Sequence, residues 1–299
     1  MRCWGLADYH ELRAVRARHP ERVAEAAAAR RRRPLFGARD QLMIIAADHP
    51  ARGALAVGGR PLAMGDRVEL LDRLTTALRR PGVDGLLATP DVVEDLLLLG
   101  ALDDLLVIGS MNRGGLQGAV FEFDDRFTAY DTGAIARMRL DGGKMLCRIA
   151  LDEPGTAATL ESCGKAITEL AEAGLVAMIE PFWSRRPGHD LSPDGVIKAI
   201  SVAQGLGATS ARTWLKIPVV ADMERVMRAT TLPTLLLGGD PGDAPDLAYA
   251  AWREALRLPG VRGLVVGRAL LYPPDDDVAA AVDQAVAMLD PTPPGTPES

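Results

Sequence analysis

Short apolar runs alternate with amphipathic segments along most of the chain. The runs are four to six residues long and predict strands at 42–47, 85–88, 105–108, 144–149, 175–179, 213–217, 234–237 and 263–266. Runs that are almost wholly apolar indicate burial on both faces, and their alternation with helices indicates a parallel sheet. Eight strand and helix units favour closure into a (β/α)8 TIM barrel, an α/β fold, over an open sheet.

The segments between the runs have helical periodicity, and several begin with Ser, Asp or Pro, which are favoured at helix starts. They predict helices at 65–79, 91–99, 156–173, 194–204, 223–229, 246–256 and 277–289. Residues 8–33 predict a further helical segment that packs outside the core or against another subunit, and 113–130 predicts a loop or lid. We therefore divide the chain into an N-terminal helical extension (1–36), one barrel domain (37–290) and a disordered tail (291–299).

Composition narrows the class of function. The chain has 299 residues, 48% of them hydrophobic, which suits a single barrel domain. Its net charge of -6 argues against nucleic acid and acidic membranes as partners, and the basic run 30–33 is interpreted as cations at a helix C-terminus. No apolar run approaches the ~20 residues of a membrane helix. A cytoplasmic homo-oligomer is expected.

Lysine is rare in this chain. Only 4 of the 34 basic residues are lysines, and the other 30 are arginines. A lysine that persists in an apolar strand therefore favours a task that a guanidinium cannot perform, such as forming a Schiff base. Lys216 in the sixth predicted strand is the main candidate, with a solvent-directed or ion-paired lysine as the alternative. Lys144 in the fourth strand is the second candidate, although it follows two glycines and can instead occupy the structural end of its strand.

Other polar groups follow the predicted strands, where the functional residues of a barrel gather. Asp48 and Glu180 are carboxylates suited to proton transfer, with buried ion pairing as the alternative role. Gly238 and Gly239 after the seventh strand, together with Gly267 and Arg268 after the eighth, are typical of a phosphate-binding site. Of the four histidines only His49 lies at a strand end, so neither a metal nor another cofactor is predicted.

These residues resemble motifs of the class I, Schiff-base aldolase superfamily, which includes tagatose bisphosphate, archaeal-type fructose bisphosphate and deoxyribose-phosphate aldolases. Asp48 with the stretch 52–55, Arg-Gly-Ala-Leu, resembles the first strand of the tagatose bisphosphate group. Lys144 in Gly-Lys-Met-Leu and Lys216 in Leu-Lys-Ile-Pro resemble its fourth-strand and Schiff-base lysines, and Glu180 resembles its glutamate. The overall likeness is greatest to aldolase-like barrels associated with myo-inositol catabolism.

The resemblance implies a lyase with Lys216 as the Schiff-base residue and Asp48, Lys144 and Glu180 as further catalytic residues. It implies that Arg52 and the two glycine turns bind a phosphorylated keto-sugar or keto-acid. Cleavage of 6-phospho-5-dehydro-2-deoxygluconate to dihydroxyacetone phosphate and malonic semialdehyde is the reaction suggested by analogy. The alternatives are a phosphosugar isomerase or epimerase, and a non-catalytic phosphosugar-binding barrel.

Overall fold

The apolar runs form a closed barrel of eight parallel strands, as predicted. The computed structural model describes residues 6–37, 39–239 and 245–289. The strands are β1 Leu42–Ala47, β2 Gly85–Ala88, β3 Leu106–Ser110, β4 Gly142–Ile149, β5 Val176–Arg185, β6 Gly188–His189, β7 Thr213–Pro218, β8 Thr234–Leu237 and β9 Val261–Val266. All except β6 belong to the barrel, which closes because β1 pairs with both β2 and β9 and because β4 pairs with β5.

One strand extends beyond its predicted end. The apolar run predicted a fifth strand ending at residue 179, but β5 continues to Arg185 and turns back through the two-residue strand β6. In the added part, Pro181, Phe182 and Trp183 still pair with β4, and only Ser184 and Arg185 form the antiparallel hairpin with β6 above the C-terminal ends of the strands. Because this hairpin lacks a continuous apolar run, hydrophobic patterning did not predict it.

Most of the helices lie between consecutive barrel strands, close to their predicted positions. Side-chain caps begin several of them: Asp66 accepts hydrogen bonds from two backbone N–H groups at the start of helix Arg67–Leu78, and Ser192 accepts one at the start of helix Pro193–Ala203. Two short helices, Thr132–Arg137 and Arg268–Leu271, were not predicted. The helices are α1 Leu6–Arg18, α2 Glu21–Ala29, α3 Arg67–Leu78, α4 Pro90–Leu98, α5 Thr132–Arg137, α6 Gly155–Glu172, α7 Pro193–Ala203, α8 Met223–Met227, α9 Pro245–Ala255, α10 Arg268–Leu271 and α11 Val278–Val286.

Two hydrophobic clusters hold the barrel together. The larger one fills the space between the outer faces of the strands and the surrounding helices. The smaller one fills the lower barrel interior with side chains such as Ile44, Ile108, Met178, Trp214 and Val265. Because side chains alternate along a strand, residues two positions further along point into the same interior. The barrel is therefore packed with apolar groups below and is polar only at its C-terminal end.

The N-terminal extension packs on the outside of this barrel. It is two helices rather than one, with the break at Pro20 between α1 and α2. Tyr9 donates a hydrogen bond of 2.9 Å to Asp72 on α3, and the Arg16 side chain bonds Asp95 on α4. The predicted tail, 291–299, lies outside the described residues. No helix among the residues described is long and apolar enough to cross a membrane.

Residues 30–33 follow the C-terminus of helix α2, where Arg30 is the C-cap, but the side chains of Arg30 and Arg33 bind groups of the barrel. Helix α2 ends at Ala29, and the arginines continue beneath the N-terminal ends of the strands. Arg30 is only 3% exposed and donates to the carbonyl oxygen of Leu105 and to Asp141. Arg33 donates to Asp84 at 2.7 Å. These arginines neutralise carboxylates that precede β2 and β4, which is the reason for their clustering.

Candidate active site

A cavity of about 540 Å³ opens at the C-terminal end of the barrel. Its floor is the last polar layer of the interior, and its walls are the loops after β1, β3, β8 and β9 and the extended end of β5. Every predicted site residue except Lys144 lines the cavity, and Lys144 lies just below it. The lining residues include Asp48, Arg52, Glu180, Lys216, Gly238, Gly239, Gly267 and Arg268.

The two predicted lysines and two predicted carboxylates meet in one network. Lys216 Nζ lies 2.8 Å from Glu180 Oε1, and Lys144 forms a short ion pair with the other oxygen of Glu180. Lys144 Nζ also lies 3.2 Å from Asp48 Oδ2, which Arg113 contacts as well. The side chains of Lys144 and Asp48 are fully buried, whereas that of Lys216 is 4% exposed and reaches the cavity. Lys216 is therefore the amine that a ligand in the cavity can reach.

Strand register explains why Lys144 belongs to this layer although it is only the third residue of β4. It pairs with Ser110, the last residue of β3, and with Met178 of β5. The stagger of a closed barrel raises β4 relative to β3, so the third position of one strand is level with the end of the next. The possibility that Lys144 occupies the structural end of its strand is thereby excluded.

Burial shifts the protonation of these groups. It lowers the pKa of Lys216, the nearby cations of Arg113 and Arg268 lower it further, and Glu180 acts in the opposite direction. Burial also lowers the pKa of Lys144 well below the usual lysine range, with Arg113 adding to the effect. For Glu180 burial alone would raise the pKa, but the two lysines and Arg113 hold it well below the usual range. The site thus combines amines that lose protons readily with a carboxylate that stays ionised.

The glycine turns after β8 and β9 form one side of the cavity. Gly239 has a φ of 65°, in the left-handed region that favours glycine, and an added Cβ at Gly267 would lie 2.9 Å from His49 Cε1. Arg268 begins helix α10 beside these turns. Burial, Arg268 and Lys216 keep the pKa of His49 well below its ordinary value, so this imidazole is neutral. Exposed backbone and a guanidinium are suited to a phosphate group.

Arg52 does not share the surroundings of Arg268, although sequence analysis grouped the two. The charged groups that act on it are Arg148 and the acidic side chains of Glu122, Asp125 and Glu180. It follows the short turn after β1, where its carbonyl oxygen accepts a hydrogen bond of 2.9 Å from the 113–130 loop. The charged groups that act on Arg52 therefore come from β4, β5 and the 113–130 loop.

Sequence analysis assigned no site role to four polar residues of the cavity or its network: Arg113, Arg148, His49 and His189. Arg148 lies four positions after Lys144 on the same strand, so the two-residue alternation already places both on the inner face. Arg113 follows β3 closely, as functional residues of barrels often do. His189 was not detectable, because only the β5 and β6 hairpin brings it back over the cavity. Its ring stacks on that of Phe182, with 4.3 Å between the centroids.

A metal centre does not form in the part of the chain that the structure describes, since no group of three or more His, Cys, Asp or Glu side chains is suitably arranged there. The fold and site thus define a (β/α)8 barrel protein with a buried centre of lysines and carboxylates. A family model described as Cgl0159-like matches residues 40–286, and the chain belongs to that family. A search of curated proteins returned no match.

Solved structures agree with this assignment. The crystal structure of Cgl0159 from Corynebacterium glutamicum is 53% identical, with a TM-score of 0.92 over 95% of this chain and 97% of that one. An archaeal fructose-1,6-bisphosphate aldolase, with its catalytic lysine bound to a carbinolamine intermediate, is 16% identical, with a TM-score of 0.67 over 89% of this chain and 99% of the other. A Schiff-base-forming fructose-1,6-bisphosphate aldolase is 17% identical, with a TM-score of 0.66 over 90% and 100%. At these low identities the likeness to the aldolases is one of fold.

Proposed function

We propose that this protein is a class I aldolase in which Lys216 forms a Schiff base with a phosphorylated keto substrate. The observation that carries the proposal is the Lys216 amine itself. It reaches the cavity, its pKa is lowered, and Glu180 lies 2.8 Å away. A neutral amine attacks a carbonyl carbon, and an ionised carboxylate in contact with it takes up and returns the protons of that addition.

The network assigns a role to each remaining group. Loss of water from the carbinolamine gives an iminium on Lys216, and this cation accepts the electron pair when the neighbouring carbon–carbon bond breaks. The hydroxyl on the departing carbon then becomes a carbonyl and gives up its proton. Asp48 is the favoured acceptor, because its Oδ1 is buried without a hydrogen-bond partner among the described residues, whereas both oxygens of Glu180 contact lysines. The resulting enamine is protonated and hydrolysed, which regenerates the amine.

The glycine turns and Lys216 determine where the substrate lies in the cavity. The turns at Gly238, Gly239 and Gly267, with Arg268, hold the phosphate and position the ketone over Lys216. Lys144 pairs with both carboxylates and holds Glu180 and Asp48 in position. The specific reaction that we propose is cleavage of 6-phospho-5-dehydro-2-deoxygluconate to dihydroxyacetone phosphate and malonic semialdehyde, a step of myo-inositol catabolism. It rests on the resemblance of the motifs.

Borohydride trapping tests the proposal. Native protein is treated with dihydroxyacetone phosphate and borohydride, and its intact mass and the modified peptide are determined. The chain contains only 4 lysines, so peptide mapping assigns the adduct without ambiguity. We expect one reduced adduct, on Lys216, and none in Lys216→Met. Lys165→Met is the matched control, because its side chain is 78% exposed on helix α6, and it should form the adduct at the native rate.

The negative outcome is equally informative. If dihydroxyacetone phosphate binds but no adduct forms, the Schiff-base mechanism is wrong. An isomerase or epimerase would then remain active in Lys216→Met, because the carboxylates would carry its chemistry. A non-catalytic binding protein would retain the ligand unchanged.

A further inference from the structure

Arg52 lines the cavity without a directly bonded partner among the described residues. No side-chain hydrogen bond or ion pair involves it there, and its Nη1 is buried without a hydrogen-bond acceptor. Burial and the positive charge of Arg148 both lower its pKa. A buried N–H donor without an acceptor is unfavourable in a protein, and an anion in the adjoining space would satisfy it. That space is the cavity, which Arg52 lines.

Arg148 supplies a second guanidinium on the same side. Its side chain is 1% exposed, and Asp125 accepts hydrogen bonds from its Nε and its Nη2, the latter at 2.6 Å. These bonds fix one edge of the guanidinium. Nη1 is buried and makes no hydrogen bond within the described residues, with Glu122 at 3.6 Å as its nearest carboxylate. Arg148 is therefore held rigidly, yet it retains a donor.

His189 completes this side of the cavity. It lies on β6, stacks on Phe182 and has Nδ1 2.8 Å from Ser184 Oγ. Burial and the cations of Arg148 and Arg52 lower its pKa to about 4, so it is neutral at neutral pH. It provides a polar ring edge and adds no charge.

We propose that Arg52 and Arg148, with His189 beside them, form a second anion subsite that binds a carboxylate on the part of the substrate remote from the phosphate. The substrate class is then a phosphorylated keto-acid, and the fragment that leaves is a small oxo acid. This inference rests on the proposed function for the direction of cleavage, whereas the subsite itself does not depend on it.

The charge balance favours a carboxylate over a second phosphate. Asp125 and Glu122 both lie against Arg148, and His189 is neutral, so Arg52 is the guanidinium of this group that forms no ion pair within the described residues. A carboxylate carries one negative charge and accepts two hydrogen bonds from a guanidinium edge. The glycine turns after β8 and β9 are better suited to a phosphate, because their backbone N–H groups add further hydrogen-bond donors.

Ligand-observed NMR titration tests the subsite with two probes, 3-hydroxypropanoate and inorganic phosphate. We expect native protein to bind both. In Arg52→Met the affinity for 3-hydroxypropanoate should fall about tenfold or more, which corresponds to loss of one charge-assisted hydrogen bond. Affinity for inorganic phosphate should be unchanged in that variant and should fall in Arg268→Met. Arg126→Met is the matched control, because Arg126 is 78% exposed in the neighbouring loop and should leave both affinities unchanged.

Three results would overturn the subsite: no binding of 3-hydroxypropanoate to native protein, equal binding to Arg52→Met, or loss of inorganic phosphate binding in Arg52→Met. The last would indicate a bisphosphate substrate instead. Arg52→Lys should recover part of the carboxylate affinity, which shows that the effect is one of charge and not of misfolding. Trapping of dihydroxyacetone phosphate on Lys216 is measured on the same samples. If that adduct is absent while carboxylate binding depends on Arg52, the aldolase proposal fails and the subsite stands.

Discussion

The two ends of the barrel both bury arginines against aspartates, but they leave different numbers of polar atoms without partners. At the N-terminal end, Asp84 accepts hydrogen bonds from Arg33, Arg39 and a backbone N–H of β1. Asp141 is bonded in the same way, by Arg30, Arg32 and a backbone N–H of β3. Both oxygens of each carboxylate are used.

At the C-terminal end the ion pairs are incomplete. Asp48 is fully buried, yet its Oδ1 has no hydrogen-bond partner among the described residues, and the same holds for one nitrogen of Arg52, of Arg113 and of Arg148. A buried polar atom without a partner lowers stability by about 1–3 kcal/mol. This difference shows that buried charges alone do not indicate a functional site. Hydrogen-bond donors and acceptors that lack a partner and line a cavity do indicate one, because a ligand can bond to them.

Removing the free carboxylate at the cavity should have the largest effect. We expect Asp48→Asn to slow carbon–carbon cleavage about a thousandfold, since a general base in this role typically contributes 10²–10⁴-fold. Release of dihydroxyacetone phosphate from the proposed substrate measures the rate. The borohydride adduct on Lys216 should still form, which shows that the site is intact. If Asp48→Asn cleaves the substrate at the native rate and Glu180→Gln does not cleave it, then Glu180 is the proton acceptor.

Removing a saturated carboxylate at the opposite end should affect stability rather than chemistry. Asp84→Ala removes the hydrogen-bond acceptor of Arg33, Arg39 and a backbone N–H group. The free energy of unfolding should therefore fall by about 3 kcal/mol. Chemical denaturation measures it, and the folded fraction should form the Lys216 adduct at the native rate. Asp103→Ala is the control, since Asp103 pairs with Arg31 at the surface and should leave the unfolding midpoint unchanged. Equal midpoints for the two variants would contradict the comparison.

The smallest expected effects are on the pH dependence of borohydride trapping at Lys216, which should shift in opposite directions in two variants. The amine of Lys216 reacts when neutral, and its lowered pKa extends reactivity to lower pH than for an ordinary lysine. Arg113→Gln removes a cation that lowers this pKa, so the profile should move to higher pH. Glu180→Gln removes the anion that raises it, so the profile should move to lower pH. The measurement is the rate of adduct formation between about pH 5 and about pH 10, the range over which lysines with a shifted pKa titrate. Shifts in the same direction would show that another group controls reactivity.

Much of the fold could be predicted from the sequence. The apolar runs are local signals of burial on both faces, and three of the eight predicted strands, 42–47, 85–88 and 234–237, have the observed ends. The hairpin after β5 escaped prediction because Phe182 and His189 are stabilised by contact with each other and not by a repeating pattern.

A site residue could be predicted where a reactive residue type occurs in or directly after a predicted strand, as for Lys216 and Asp48. It was not predictable where the partner is distant in sequence. Asp125 neutralises Arg148 from the 113–130 loop, whereas Arg52 forms no ion pair in the part of the chain that the structure describes. Neither fact can be deduced from composition.

The sequence by itself determined the barrel, the scarcity of lysine and the residue types at the strand ends, because period-2 and helical patterns are properties of neighbouring residues. Only the tertiary structure decided that Lys216 reaches the cavity while Lys144 lies beneath it, and that Arg148 is the cation that lowers the pKa of Arg52. The physical reason is the stagger of the closed barrel together with burial, which set the distance between charges and the access of water to each of them.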